Sequence, residues 1–327
     1  LSAITIDDNA TSYSSADYTV EFTKNPVKPY MMILSHNIVT SNHNMTWSTG
    51  TGSYSGDYSD RRSENGGSDL TSTSRATNGI ISDAHTKNMF TVGNLLNTDG
   101  QEKLVSWSVV GHNDDGAGNA PDRFETICKF TGTSQINQMK LNNSSSINNE
   151  IGSEIVVLGY DPADTEGGSV WEELASVTLG SAGDTLDSGT FTAKKYLWIQ
   201  YSIISSGSTN GIIRFNSDTG ANYARRTSLE GAGDVAVTGS TSLNFGTLTD
   251  SNITFVEGFI INKSDKEKLV TGSVVSGNTA GAGNAPSRRE GVGKWTNTSS
   301  QITSIQVINN GAGDINTGSR IKVWGFD

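Results

Sequence analysis

Carboxylates and side-chain amides gather at Asn113-Asp114-Asp115, ahead of the run Gly116-Ala-Gly-Asn-Ala-Pro121 and followed by Asp122 and Glu125. Oxygen ligands spaced along a loop suit calcium, which makes Asp114, Asp115 and Asp122 the candidate ligands. Two features weigh against that reading. Gly111 stands at the first position of an EF-hand pattern, and a twin of the glycine-rich run, Gly281-Ala-Gly-Asn-Ala-Pro286, has Thr279, Ala280 and Ser287 at the places of the three acids. A solvated turn is the better reading, and no cofactor is expected. A phosphate cradle fits no better, because it needs a helix after the glycines and here a strand pattern follows.

Arginine is sparse and recurs in pairs. Arg123 and Glu125 return as Arg288 and Glu290, two residues apart and so on one face of a strand, where they suit an ion pair or a subunit contact. Tyr58 precedes Arg61 and Arg62 as Tyr223 precedes Arg225 and Arg226. Tyrosine with arginine on a loop suits a carboxylate-bearing glycan or an acidic neighbour. Repetition of the same pair in a duplicated fold favours anchoring or subunit contact instead.

Catalytic constellations are missing from the pattern. His36, His43, His85 and His112 all lie in the first half, none at metal-ligand or triad spacing, so surface or turn positions are expected. No Gly-x-Ser-x-Gly elbow precedes a helix, and carboxylate pairs for glycoside hydrolysis meet only in the fold. The expectation is a protein that is not an enzyme. Cys128 is the only cysteine, which excludes an internal disulfide and suits a buried strand position.

The elements that must position these residues come as a tandem duplication. Lys103 opens KLVSWSVVGHNDDGAGNAP and Lys268 opens KLVTGSVVSGNTAGAGNAP; the two copies close on GSEIVVLGYD and GSRIKVWGFD. Upstream, Tyr30 aligns with Tyr196, and the segment from Leu1 resembles Leu174–Leu179, which places Leu1 inside a first strand. The repeat is far longer than the roughly 20 to 50 residues of solenoid units, so each copy is a complete domain. Breaker-rich sequence after Asp161 sets the expected boundaries at 1–161, a linker at 162–169, and 170–327.

Only 34% of residues are hydrophobic and 17% charged, with Gly, Ser, Thr and Asn filling much of the rest, a composition for short strands and many turns. In the second copy, alternating or continuous apolar runs predict strands at Tyr196–Ser206, Ile212–Asn216, Ile253–Asn262, Lys268–Ser276, Lys294–Thr296, Gln301–Ile308 and Arg320–Phe326. About eight strands per copy follow, with one short helical turn near Arg225–Leu229. The fold class expected is all-β, two tandem antiparallel β-sandwiches of jelly-roll type. A net charge of −11 repels a phosphate backbone, so no nucleic-acid partner is expected. No apolar run reaches the roughly 20 residues of a membrane helix.

The stretches Leu179-Gly-Ser-Ala-Gly-Asp184, Lys194-Lys-Tyr-Leu197, Arg214-Phe-Asn-Ser-Asp-Thr-Gly-Ala-Asn-Tyr223 and Gly281–Pro286, with the closing Val323-Trp-Gly-Phe-Asp327, resemble a family of virion-associated proteins of marine and environmental viruses. The resemblance covers the second copy and, more loosely, the first. It implies a β-sandwich with a structural role on a capsid, spike, fibre or tail, located on the virion or an extracellular surface. Partners would be other copies of the chain, forming a homo-oligomer, or other virion proteins. The alternative is an adhesin or cell-surface layer component, in which Trp47, Trp171, Trp198 or Trp295 stacks on host glycans. An exposed row of aromatics would favour binding, and symmetric packed neighbours the virion.

Overall fold

The computed structural model describes residues 2–5, 18–21, 28–39, 43–49, 57–75, 78–143, 149–161, 163, 169–207, 209–248, 253–277 and 282–327. It divides into two compact units, residues 1–114 with 122–170, and residues 115–121 with 171–327.

In the first unit the strands are β1 (Ser2–Thr5), β2 (Tyr18–Glu21), β3 (Tyr30–Asn37), β4 (His43–Ser48), β5 (Tyr58–Glu64), β6 (Leu70–Arg75), β7 (Gly79–His85), β8 (Met89–Leu96), β9 (Lys103–Gly111), β10 (Asp122–Phe130), β11 (Gln138–Asn143) and β12 (Glu154–Tyr160). In the second they are β13 (Glu172–Thr178), β14 (Thr185–Asp187), β15 (Tyr196–Ile204), β16 (Thr209–Phe215), β17 (Tyr223–Leu229), β18 (Val235–Ser240), β19 (Leu243–Leu248), β20 (Ile253–Ile261), β21 (Lys268–Ser276), β22 (Ser287–Trp295), β23 (Ile305–Asn309) and β24 (Arg320–Phe326).

Each unit stacks an eight-stranded sheet on a four-stranded one. The first unit has the orders β1-β12-β3-β8-β9-β10-β5-β6 and β2-β11-β4-β7, and the second β13-β24-β15-β20-β21-β22-β17-β18 and β14-β23-β16-β19. Adding twelve to each strand number of the first unit gives the second, so the duplication read from sequence is a duplication of topology. Successive strands cross repeatedly between the two sheets, as in a jelly roll. The protein is all-β, built of antiparallel sheets in a β-sandwich arrangement.

Alternation explains the strands. In β9, Lys103, Val105, Trp107 and Val109 are buried while Leu104, Ser106 and Ser108 are exposed, the period of two that lines one face with core residues. Trp47, Trp107, Phe124 and Met139 belong to the first core; Ile199, Phe215, Phe245, Trp295 and Val323 belong to the second. Gly93 lets a core tryptophan sit against the backbone, since a Cβ there would lie 2.3 Å from Trp107 Cζ3.

The structure departs from the expectations in three places. Twelve strands, not eight, form each sandwich among the described residues, because short polar or glycine-bearing strands such as β14, β18 and β19 carry little apolar signal. The expected helical turn at Arg225–Leu229 is strand β17, and the Tyr58–Arg62 motif is strand β5 and not a loop; neighbouring strands complete their backbone hydrogen bonds. His36 and His112 are buried, not on the surface, while the side chains of His43 and His85 lie outside the described residues.

Candidate functional site

Most residues that the sequence marks as chemical are engaged in holding strands together. Tyr58 and Tyr223 point into their cores, and each hydroxyl accepts the backbone N–H of a residue shortly upstream, Thr49 at 3.1 Å and Phe215 at 3.1 Å. Burial pushes the Tyr223 phenol above its ordinary pKa. Arg62 donates to Asp60 at 2.8 Å and to Asp83 at 2.9 Å. Burial works against the Arg62 guanidinium, yet Asp83 and Asp60 hold its pKa above the ordinary value. Arg61 makes a solvent-exposed pair with Asp69 at 3.2 Å.

The repeated Arg-Glu motif forms the same ion pair twice, at 2.7 Å for Arg123–Glu125 and 2.6 Å for Arg288–Glu290. Each arginine also meets the turn after the neighbouring strand. The backbone N–H of Arg123 donates to Asn65 Oδ1 at 2.9 Å, and that of Arg288 donates to Glu230 Oε1 at 3.1 Å. Asn65 and Glu230 both adopt positive φ, 50° and 54°, a costly conformation that this side-chain clasp secures.

Asp114, Asp115 and Asp122 do not bring their carboxylates together as one ligand group. Both oxygens of Asp122 accept amide protons, from Asn65 Nδ2 at 2.9 Å and Asn113 Nδ2 at 2.9 Å. The Asp115 carbonyl accepts from Asn119 Nδ2 at 2.9 Å, closing the glycine-rich loop on itself.

Sequence reasoning missed two of the strongest shared features. Lys103 and Lys268, the first residues of β9 and β21, are fully buried. Lys103 Nζ donates to the carbonyls of Thr98, Gln101 and Thr133, and Lys268 Nζ to those of Ser264, Lys266 and Asn297. Burial pushes the Lys268 ammonium down to about 8, against the pull of Asp265 and Glu267. Likewise Asn97 and Asn262 use both side-chain ends, donating to the carbonyl and accepting from the N–H of Ile136 and Ile302 respectively. The available signal was identity between the copies, KLV at each lysine.

Trp47 and Trp295 are core residues, not sugar platforms. Trp198 is different. It faces away from the core of the second unit, paired across strands with Trp324 and Phe259. Its ring lies 4.7 Å from Trp324 and 6.0 Å from Phe259, with Trp171 edge-on at 5.8 Å. Glu257 Oε1 accepts from Trp198 Nε1 at 2.8 Å and from Gln200 Nε2 at 3.2 Å, and Lys322 Nζ stands 5.7 Å from the Trp324 ring centre. The corresponding row of the first unit is Leu158, Met32 and Asn94, so this aromatic face belongs to the second copy alone.

Fold and geometry thus define a duplicated β-sandwich protein whose shared polar residues are framework. No protein-family model matches the chain, and no curated protein matches it. Among solved structures, domains LG4-5 of the mouse laminin alpha1 chain are similar at 12% identity, covering 95% of this chain and 86% of that one with a TM-score of 0.20. Human GIVD cytosolic phospholipase A2 aligns at 7% identity, over 92% and 33% of the two chains, with a TM-score of 0.13. At these TM-scores neither neighbour bears on fold or function.

Proposed function

We propose that this chain is a structural protein of a virus particle, a capsid, decoration, spike or fibre subunit that acts through assembly and surface contacts and not through catalysis. The observation that supports this reading is the fate of the shared residues. The paired tyrosines, buried lysines, anchoring asparagines and Arg-Glu pairs recur at matching places in both sandwiches, and each is occupied in fixing strands or turns. Duplicated rigid sandwiches with framework residues in common and unlike outer faces suit a building block. The setting on a virion comes from the sequence resemblance. Electron microscopy of the native particles, with the chain located by antibody labelling, tests the proposal. Symmetric copies on the particle are expected; a chain that is monomeric at high concentration and absent from particles refutes it.

One observation favours a second reading, an adhesin for host glycans: the outward aromatic row of Trp171, Trp198, Phe259 and Trp324, with Gln200 and Glu257 beside it. Rings flanked by polar groups suit the apolar faces and hydroxyls of sugars. Retention on immobilised polysaccharide, lost in Trp171→Ala and Trp324→Ala, would support it, and equal retention of wild type and variants would sink it.

A further inference from the structure

In the second unit the larger sheet overhangs the smaller one. Strand β19 is the small-sheet strand that packs against β17, β21 and β22, and β18 lies beyond β17 as the last strand of the sheet, where its Gly239 N–H donates to the Ala117 carbonyl at 2.6 Å. The inward side of this overhang is identified by Tyr223, a core residue, and by its neighbour Gly293, where a Cβ would lie 2.8 Å from the core side chain of Leu243. Alternation places Arg225 and Thr227 of β17 on that side, with Arg289 and Gly291 of β22. The register pairs Arg225 with Gly293, Thr227 with Gly291, and Leu229 with Arg289, so the two arginines flank the Thr227–Gly291 step from opposite ends. Val237 and Val235 of β18, paired with Arg225 and Thr227, give the same side an apolar border.

Arg225 has one buried nitrogen with no acceptor. Its Nε is buried without a hydrogen-bond partner, although burying an unpaired guanidinium nitrogen is costly. Burial and the charge of Arg289 both lower the Arg225 pKa, while burial lowers that of Arg289 against the pull of Glu230. The first unit provides the contrast. Its equivalent register, Tyr58 with Phe130 and Asp60 with Cys128, puts Asp60 where the second unit has Arg225, Arg62 where it has Thr227, and Phe124 where it has Arg289. There the one arginine is neutralised from within, by Asp60 and Asp83. The second copy has exchanged an acid for a base and added another cation.

We propose that the inward face of the β17–β18 edge of the second unit is an oxyanion-binding site, in which a carboxylate or sulfate group is held by Arg225 and Arg289. The planar guanidinium fork matches such groups bidentately, and a bound oxyanion supplies the acceptor that Arg225 Nε lacks. The border of Val235 and Val237 suits an oxyanion carried on a larger body, such as an acidic sugar. This site stands whether or not the chain belongs to a virus particle.

Titration calorimetry and thermal unfolding of the full chain test the proposal, with sodium sulfate, sodium glucuronate and neutral glucose as probes at matched ionic strength. Saturable binding of sulfate or glucuronate but not glucose is expected, weakened at least about ten-fold in Arg225→Gln and in Arg289→Gln, the loss of one charged hydrogen bond. The exposed Arg320→Gln should leave the titration unchanged. Without ligand, Arg225→Gln should melt at or above the wild-type temperature, whereas an arginine with a merely structural role would lower it. If only sulfate binds, the site is one for tetrahedral anions; if glucuronate binds more tightly, it is one for acidic sugars. Identical titrations of wild type and both variants, or no saturable binding, overturn the proposal. So does self-association that Arg225→Gln abolishes, because an acidic group of a second copy would then be the occupant.

Discussion

Replacing Lys268 by methionine should unlock the second sandwich, because a single ammonium ties together the start of β21, the turn before it and the loop after β22. Methionine keeps the length of the stem and removes the donors. Three carbonyls, those of Ser264, Lys266 and Asn297, then lose their partner. At about 1.5–3 kcal/mol for each hydrogen bond made by a charged donor, the gross loss is roughly 4.5–9 kcal/mol. Removing a desolvated charge offsets part of that, so the net cost should be about 3–5 kcal/mol, below the gross figure. For a unit of this size the melting temperature falls about 2–4 °C per kcal/mol, a drop of roughly 6–20 °C. Thermal unfolding at pH 7, followed by circular dichroism and tryptophan fluorescence, measures it; Trp295 reports locally, with its ring centre 5.7 Å from the ammonium. Lys266→Met, which removes a surface pair with Asp265 at 3.4 Å, should cost under about 1 kcal/mol. A Lys268→Met protein within about 1 kcal/mol of wild type, or no worse than Lys266→Met, would refute the reasoning.

Other consequences are open to measurement. Arg62→Leu strands the buried Asp60 carboxylate and should cost the first unit about 3–5 kcal/mol by chemical denaturation, while Arg61→Leu at the exposed pair should cost under about 1 kcal/mol. Gly93→Ala forces a Cβ into the Trp107 ring and should cost about 1–3 kcal/mol by overpacking; a neutral result would mean that the tryptophan is free to move. Tyr223→Phe leaves the Phe215 N–H without its acceptor and should cost about 1–3 kcal/mol. Stability should also follow pH in two senses. Between about 8 and 10.5, the folded and ordinary values for Lys268, the unfolded chain binds more protons at this site, so its contribution to stability rises with pH. Above about 10 the trend reverses, because Tyr201 and Tyr223 are raised by burial and the unfolded phenols ionise first. Guanidinium titrations across pH 7–11 should show the rise diminish in Lys268→Met, with the buried Lys103 keeping the remainder, and the fall diminish in Tyr223→Phe.

The sequence by itself determined the duplication, the all-β class and the buried strand position of Cys128, and it placed Arg123 with Glu125 and Arg288 with Glu290 on one strand face, leaving an ion pair and a subunit contact both open. These properties are local or repetitive: identity between copies is visible without a fold, and residues two apart in a strand share a face whatever the strand pairs with. It also marked Tyr58 and Tyr223, with their arginines, as a recurring motif suited to anchoring or subunit contact, although not what they hold. Only the tertiary structure decided the rest. Trp198 meets Trp324 and Phe259 through strand neighbours far apart in the chain, and no spacing in the sequence separates those rings from Trp47 and Trp295 in the cores. Lys268 reads as one more surface lysine until the turn before β21 and the loop after β22 turn their carbonyls toward it. Arg225 and Arg226 are adjacent and alike as letters; pairing with β22 sends the first inward and the second to the opposite face. Burial and partnership depend on which strand lies alongside in which register, and that is settled by cooperative packing across the whole sandwich, not by any short window of residues.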